Sequence, residues 1–292
     1  MTIGKLTIAT GLNPSPARPP SQSHAFSRTD LSVVIALLAF LAAMLFPALA
    51  RTRTDSRAFQ CLNNSRELNR AWRMWSDDNQ DLLLYAGEDP AAASARAWVT
   101  GIMDFNPNNA ANWDPQASIM RSPIWPYCGT NVNLWRCPSD QSSVVVNGEA
   151  RPRVRSYSMN FYLGGWSGTD GGLGGSKYRL YLKGSDLQNP PPAQLFVFTD
   201  MRPDVVSDGT FVTAMDGYSP GNPAVYKFYE FPADYHDASA AFSYADGHGE
   251  VHRWQDRRTT PPLLVNLQIP DTYPSPRNVD IAWLQDRSTR PK

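Results

Sequence analysis

The sequence predicts an α+β chain in which a long N-terminal α-helix, with a transmembrane front half, packs on an antiparallel β-sheet head. Three observations predict it. Residues 31–50 carry no charged side chain, and about 20 apolar residues suffice to cross a bilayer as a helix. Beyond them, Ala58, Cys61, Leu62, Ser65, Leu68, Trp72 and Trp75 recur at three- and four-residue steps, which is the apolar stripe of an amphipathic helix. After Leu84 the helical period stops, and short strand-like runs alternate with turn clusters.

The order of segments follows from these changes. Residues 1–25 are polar and rich in Pro and Ser, with Lys5 and Arg18 as their charged side chains, and read as an unfolded leader. Residues 26–50 form the membrane segment, "FSRTDLSVVIALLAFLAAMLFPALA", which holds a carboxylate, Asp30, at its mouth and a helix breaker, Pro47, near its end. The apolar run is longer than the core of a secretory signal peptide, and the helical pattern continues through it. Lys5, Arg18 and Arg28 on one side balance Arg51, Arg53 and Arg57 on the other, so charge counting does not orient the segment. Residues 51–84 are the exposed half of the helix and its link, and residues 85–292 the β-rich head.

Strand-like runs in the head are "AWVTGIMDF", "VRSYSMNFYLGG", "KYRLYL", "QLFVFTD", "GTFVTAM", "AVYKFYEF" and "SAAFSYADGHGEVHRW". The last reads as a hairpin, with Phe242 and Tyr244 on one face and Asp246-Gly247 as the turn. "GGWSGTDGGLGG" reads as a loop; no GKS or GKT follows it, so it lacks the phosphate-cradling pattern. The chain of 292 residues carries 27 basic and 27 acidic side chains, a balance that excludes a general nucleic-acid or anionic-surface binder. With 25 Pro and 9 Trp but only 18% charged residues, the composition suits a loop-rich, exported head.

A membrane-spanning half-helix continued into water and followed by a β-rich head resembles type IV pilins and type II secretion pseudopilins. Ala25-Phe26 matches the family's leader cleavage site, with Ala where Gly is usual. Asp30 falls at the fifth mature position, where the family has Glu, and Pro47 where these helices commonly carry proline. "CLNNSRELNRAWRMWSDDNQ", "RCPSD" and "YHDASAAFSYADGHGEVHRW" resemble the planctomycete and verrucomicrobial branch, with its H-x9-DG signature at His236 and Asp246-Gly247. The resemblance implies a pilin-like fold and a non-enzymatic structural subunit. It also implies cleavage by prepilin peptidase, N-methylation at Phe26 and a single-pass inner-membrane anchor with a periplasmic head. In that setting the new α-amino group of one subunit meets Asp30 of another, and other pilin-like subunits are the partners.

Outside the membrane segment, few residues offer chemistry. Three cysteines, Cys61, Cys128 and Cys137, leave three arrangements open: a Cys61–Cys137 bridge stapling helix to head, a Cys128–Cys137 bridge, or three thiols. His236, His248 and His252 lie close in sequence to Asp246, and a metal set from these four is weighed against His236 and Asp246 bracing the hairpin turn. No cofactor is expected; calcium would require Asp200, Asp204 and Asp208-Gly209 to converge, at a spacing that is not an EF-hand. No nucleophile elbow or Walker motif is present, which leaves two hydrolase readings, a His236/Asp246 acid–base pair and a metal-dependent site. Trp98, Trp113 and Trp166 read as surface aromatics, equally suited to binding glycan or to packing between subunits; the rival expectation is a membrane-tethered glycan- or ligand-binding protein.

Overall fold

The structure is a computed structural model that describes residues 28–88, 96–173, 177–205, 208–265, 267–270 and 272–292, with side chains of 42–55 excluded. The chain divides into two compact units, Met1–Leu49 and Ala50–Lys292. Helix α1 (Arg28–Asp78) runs through the boundary.

In the first unit the large apolar side chains described on α1, Leu31 to Leu41, are exposed, from 45% for Val34 to 61% for Val33. Asp30 lies in its first turn, where a carboxylate complements the helix dipole. Among the described residues, no helix is long and apolar enough to cross a membrane.

In the second unit α1 becomes amphipathic. Cys61, Leu68, Ala71, Trp72 and Trp75 are buried, whereas Phe59 and Met74 face solvent. The helix stops where Asn79 returns its side-chain amide to the Trp75 carbonyl (2.7 Å) and Gln80 and Asp81 take positive φ.

Among the described residues the head has two two-stranded antiparallel pairs and one five-stranded sheet. Strands β1 (Ser143–Val146) and β2 (Glu149–Pro152) pair across Asn147-Gly148, both at positive φ, as a tight two-residue hairpin turn requires. The main sheet contains β3 (Tyr157–Asn160), β4 (Phe196–Asp200) and β5 (Thr210–Phe211). After β6 (Lys227–Phe228), which lies outside it, the chain adds β7 (Ser239–Tyr244) and β8 (Gly249–Arg253). The order is β5-β3-β4-β7-β8. Strands β3 and β5 are parallel and the other pairs antiparallel. Strand β9 (Tyr273–Pro274) pairs with β6, and α2 (Val279–Ser288) ends the fold.

Successive residues of a strand point to opposite faces, and β7 is covered on both. Ser243 meets Ser65 of α1 (Oγ–Oγ 3.0 Å), while the Phe242 ring meets Trp283 of α2 (centroids 5.0 Å apart). The Asn69 amide donates to the Tyr244 carbonyl (2.6 Å), tying α1 to the same strand. Burial on two sides explains why β3, β4 and β7 read as continuous buried runs rather than alternating ones.

The expected pilin-like arrangement, a long helix with a transmembrane front half packed on an antiparallel sheet, is overturned. The described residues divide into two compact units at Leu49, none of their helices is long and apolar enough to cross a membrane, and the sheet is mixed. Periodicity reports which side of an element is apolar, not which strands pair or in which direction. The runs at 97–105 and 177–182 accordingly form isolated bridges, Tyr85↔Ala97 and Leu163↔Tyr181, instead of strands.

Candidate functional site

Four buried side chains meet where α1 crosses the sheet. Cys61 comes from the apolar stripe of α1, and Cys137 from the loop after the 3-10 turn Val132–Trp135. Asp200 closes β4, and His236 lies in the segment entering β7, just before a tight turn at Asp237 and Ala238. Cys61, Cys137 and Asp200 are 0% exposed and His236 4%. Their four donor atoms lie within 4.8 Å of one another.

Contacts within the cluster are short. The Cys61 thiol donates to Asp200 Oδ2 (3.2 Å), Cys137 Sγ lies 3.3 Å from His236 Nε2, and Nε2 lies 3.6 Å from Asp200 Oδ2. A surrounding layer holds these groups in place. Ala241 N–H donates to Asp200 Oδ1 (2.7 Å), Tyr157 Oη donates towards the Cys61 carbonyl and Sγ (2.9 and 3.2 Å), and Cys137 N–H donates to Ser156 Oγ (3.0 Å). His236 Nδ1 faces Ser139 Oγ at 3.5 Å.

Electrostatics separate the two thiols. Burial, a hydrogen bond with Cys137 and the Asp200 charge hold the Cys61 thiol well above its ordinary value. Burial also opposes ionisation of Cys137, but hydrogen bonds from Cys61 and His236 outweigh it and lower that thiol. For His236 burial disfavours the charged ring, yet Asp200 and Cys137 raise it to about 9. The cluster can therefore hold separated charge between Cys137 and His236, or gather four donors on one cation.

Of the three arrangements open from the sequence, the structure brings Cys61 and Cys137 together and carries all three cysteines as free thiols. Cys128 is buried at the end of the turn Pro126–Cys128, and burial, with the Glu67 charge, pushes its thiol up to about 12. It takes no part in the cluster.

His236 and Asp246 do not brace one turn and form no acid–base pair. They lie beyond opposite ends of β7, and a six-residue strand separates its ends by about 20 Å. Asp246 serves the hairpin turn with His248, accepting from His248 N–H (3.0 Å) and lying 2.6 Å from its Nδ1. Gly247 provides the positive φ there. His248 stacks on Tyr244 and His252 on Trp283 (centroids 4.3 and 3.7 Å), so the set His236, Asp246, His248 and His252 does not converge.

Nor do the carboxylates weighed for calcium converge. Asp200 belongs to the cysteine cluster, and Asp204 accepts a two-pronged bond from buried Arg202 (2.9 and 2.8 Å). Asp208 accepts from Trp166 Nε1 (3.0 Å) and the Thr210 N–H (3.0 Å). Ala25, Phe26 and the side chain of Pro47 lie outside the described residues.

Of the tryptophans read as surface aromatics, Trp98 is wholly buried and stacked on Trp135 (5.7 Å). Trp113 packs under the Arg151 guanidinium (4.7 Å). Trp166 lines a cleft of about 510 Å³ with Glu88, Ile102, Thr169, Gly171 and Asp208.

Sequence reasoning missed Asp200 as the cysteines' partner, and Tyr157 and Ser139 as their supports. One signal was available for Asp200: an acid closing the apolar run "LFVFTD" is tolerated in a core only when it is paired. No protein-family model, curated protein or solved structure matches the chain.

Proposed function

We propose that the chain is a structural subunit, a pseudopilin, of a type II secretion or type IV pilus-like filament. Prepilin peptidase would cut between Ala25 and Phe26, leaving the mature N-terminal segment in the inner membrane and the head on the periplasmic side. The observation that carries this reading is the front of α1. Leu31, Val33, Ile35, Leu37, Leu38 and Phe40 are each more than half exposed, and together they surround the helix. A helix apolar on every side needs a cover other than water. Lipid, and then the same helix of neighbouring subunits, supplies that cover. The α-amino group freed at Phe26 of a neighbour is the counter-ion that the resemblance assigns to Asp30, and a paired carboxylate is the kind that lipid tolerates. This reading rests on the segment and not on the head, whose mixed sheet carries no argument for it.

Intact-mass analysis of the mature protein tests the proposal. A chain beginning at N-methylated Phe26 is expected; one retaining Met1, or starting near Arg51, overturns it. Asp30→Ala is expected to abolish filament assembly while leaving membrane insertion intact. A tethered ligand-binding protein is the second reading, favoured by the cleft beside Trp166; Trp166 Nε1 donates to Asp208 Oδ2 (3.0 Å), and Glu88 lines the same cleft. That arrangement suits a sugar, with an aromatic face and polar acceptors. Unprocessed N-termini would shift the weight to it.

A further inference from the structure

We propose that Cys61, Cys137, Asp200 and His236 form a structural zinc(II) site that pins α1 to the sheet of the head. The argument is geometric. Zinc bonds of about 2.3 Å to sulfur and about 2.0–2.1 Å to nitrogen or oxygen, at tetrahedral angles, place neighbouring donors about 3.3–3.8 Å apart. The Cys61 Sγ–Asp200 Oδ2, Cys137 Sγ–His236 Nε2 and His236 Nε2–Asp200 Oδ2 separations are 3.2, 3.3 and 3.6 Å. Three of the six edges of the required tetrahedron are thus near the required length, and all four donors lie within 4.8 Å of one another.

Donor chemistry selects the metal. Two sulfurs with one imidazole and one carboxylate match zinc, which accepts mixed S, N and O sets in tetrahedral geometry. Calcium and magnesium take oxygen ligands instead. Four protein donors leave no open position, and the site is shut off from solvent, the pattern of a structural rather than a catalytic zinc.

Outer contacts complete the pattern. A metal-binding histidine usually has its second ring nitrogen hydrogen-bonded, and ligating carboxylates are themselves held. Here Nδ1 faces Ser139, Asp200 Oδ1 accepts from Ala241, and Tyr157 supports Cys61.

The rival arrangement, a Cys–His–Asp proton relay, requires the carboxylate on one ring nitrogen and the thiol on the other. Both face Nε2 here, so the side chains converge on a point instead of forming a line. On binding, zinc displaces the thiol protons to solvent and meets two thiolates, one carboxylate and a neutral imidazole. A disulfide between the same sulfurs is the redox competitor, and the two states exclude each other.

The test uses the full chain purified in detergent without added metal. Elemental analysis is expected to find about one zinc per chain. Cys137→Ser and His236→Gln are expected to lose at least nine-tenths of it, while Cys128→Ser keeps it. Cobalt(II) replacement in the wild-type protein is expected to give a thiolate charge-transfer band and visible bands of tetrahedral cobalt, a readout independent of whether any variant folds. Tyr157→Phe should weaken zinc binding about tenfold without removing a ligand. Zinc retained in His236→Gln, no cobalt–thiolate band, or a zinc-free chain with Cys61 and Cys137 bridged and two hydrogens lighter would each overturn the proposal. None of these outcomes depends on how the N-terminus is processed.

Discussion

His252 shows how packing decides the behaviour of a single residue. Its ring is stacked on Trp283 and set edge-on to Trp254 (centroids 3.7 and 5.0 Å). Burial lowers its pKa from the ordinary 6.5 despite the nearby Glu250 and Asp280 charges. The sign of the resulting pH effect follows from linkage. Above 6.5 the ring is neutral whether the chain is folded or not. Below it the unfolded chain takes up a proton that the folded ring resists, so stability falls as pH falls from 6.5 towards the lowered folded value. His252→Phe is therefore expected to flatten the pH dependence of the urea midpoint between about 6.5 and 5. An unchanged slope would show that the ring protonates freely in place. Sequence spacing marked His252 for a possible metal set, because four residues along a strand return to the same face. What that face packs against was not written in the spacing.

Elements fit through backbone as well as side chains, and Gly164 is the sharpest instance. It follows β3 with φ +82°, and a Cβ there would lie 2.2 Å from the Leu84 carbonyl oxygen in the segment leaving α1. Gly172 has the same φ, but a Cβ would meet nothing within 4 Å. Gly172→Ala should cost about 1–2 kcal/mol for the left-handed backbone alone. Gly164→Ala should cost more, about 3–5 kcal/mol, because the two segments must also move apart. Equal urea midpoints for the two variants would show that the contact at Gly164 yields cheaply. The stretch "GGWSGTDGGLGG" reads from composition as a loop; which of its glycines is needed for close approach emerged from the fold. The hairpin at Asp246-Gly247 was fully legible, since turn chemistry and flanking alternation are local. The β1–β2 hairpin carries the same kind of signal in Asn147-Gly148, and its flanks escaped notice because "VVV" does not alternate. The parallel β3–β5 pair was invisible: its partners lie 51 positions apart, as in Met159↔Thr210 and the register that follows.

For the molecule as a whole, the division at Leu49 separates a front segment, whose large apolar side chains from Leu31 to Leu41 are exposed, from a head with its own core. A chain starting at Ala50 is expected to remain monomeric in detergent-free buffer, with the near-UV circular dichroism of a packed aromatic core. The full chain should float with lipid vesicles or self-associate. Size-exclusion chromatography and vesicle flotation measure both, and equal behaviour of the two chains would remove the assigned role of residues 28–41. Trp72, Trp98 and Trp135 are wholly or almost wholly buried in that core. They report its integrity, and Trp98, which reads from the sequence as a surface aromatic, belongs to that core.

The sequence by itself determined the features that depend on near neighbours. These are the apolar front segment, the buried stripe from Cys61 to Trp75 and the turn at Asp246-Gly247. Tertiary structure alone decided the direction of pairing in the sheet and the membership of the buried cluster. Asp200 reaches Cys61 across 139 residues, and His236 reaches Cys137 across 99. Helical and strand periods repeat over a few residues and say which way a side chain points. Which distant side chains it meets is set by the order in which β4, β7 and α1 are laid together, and that order is fixed by the packing of the whole core.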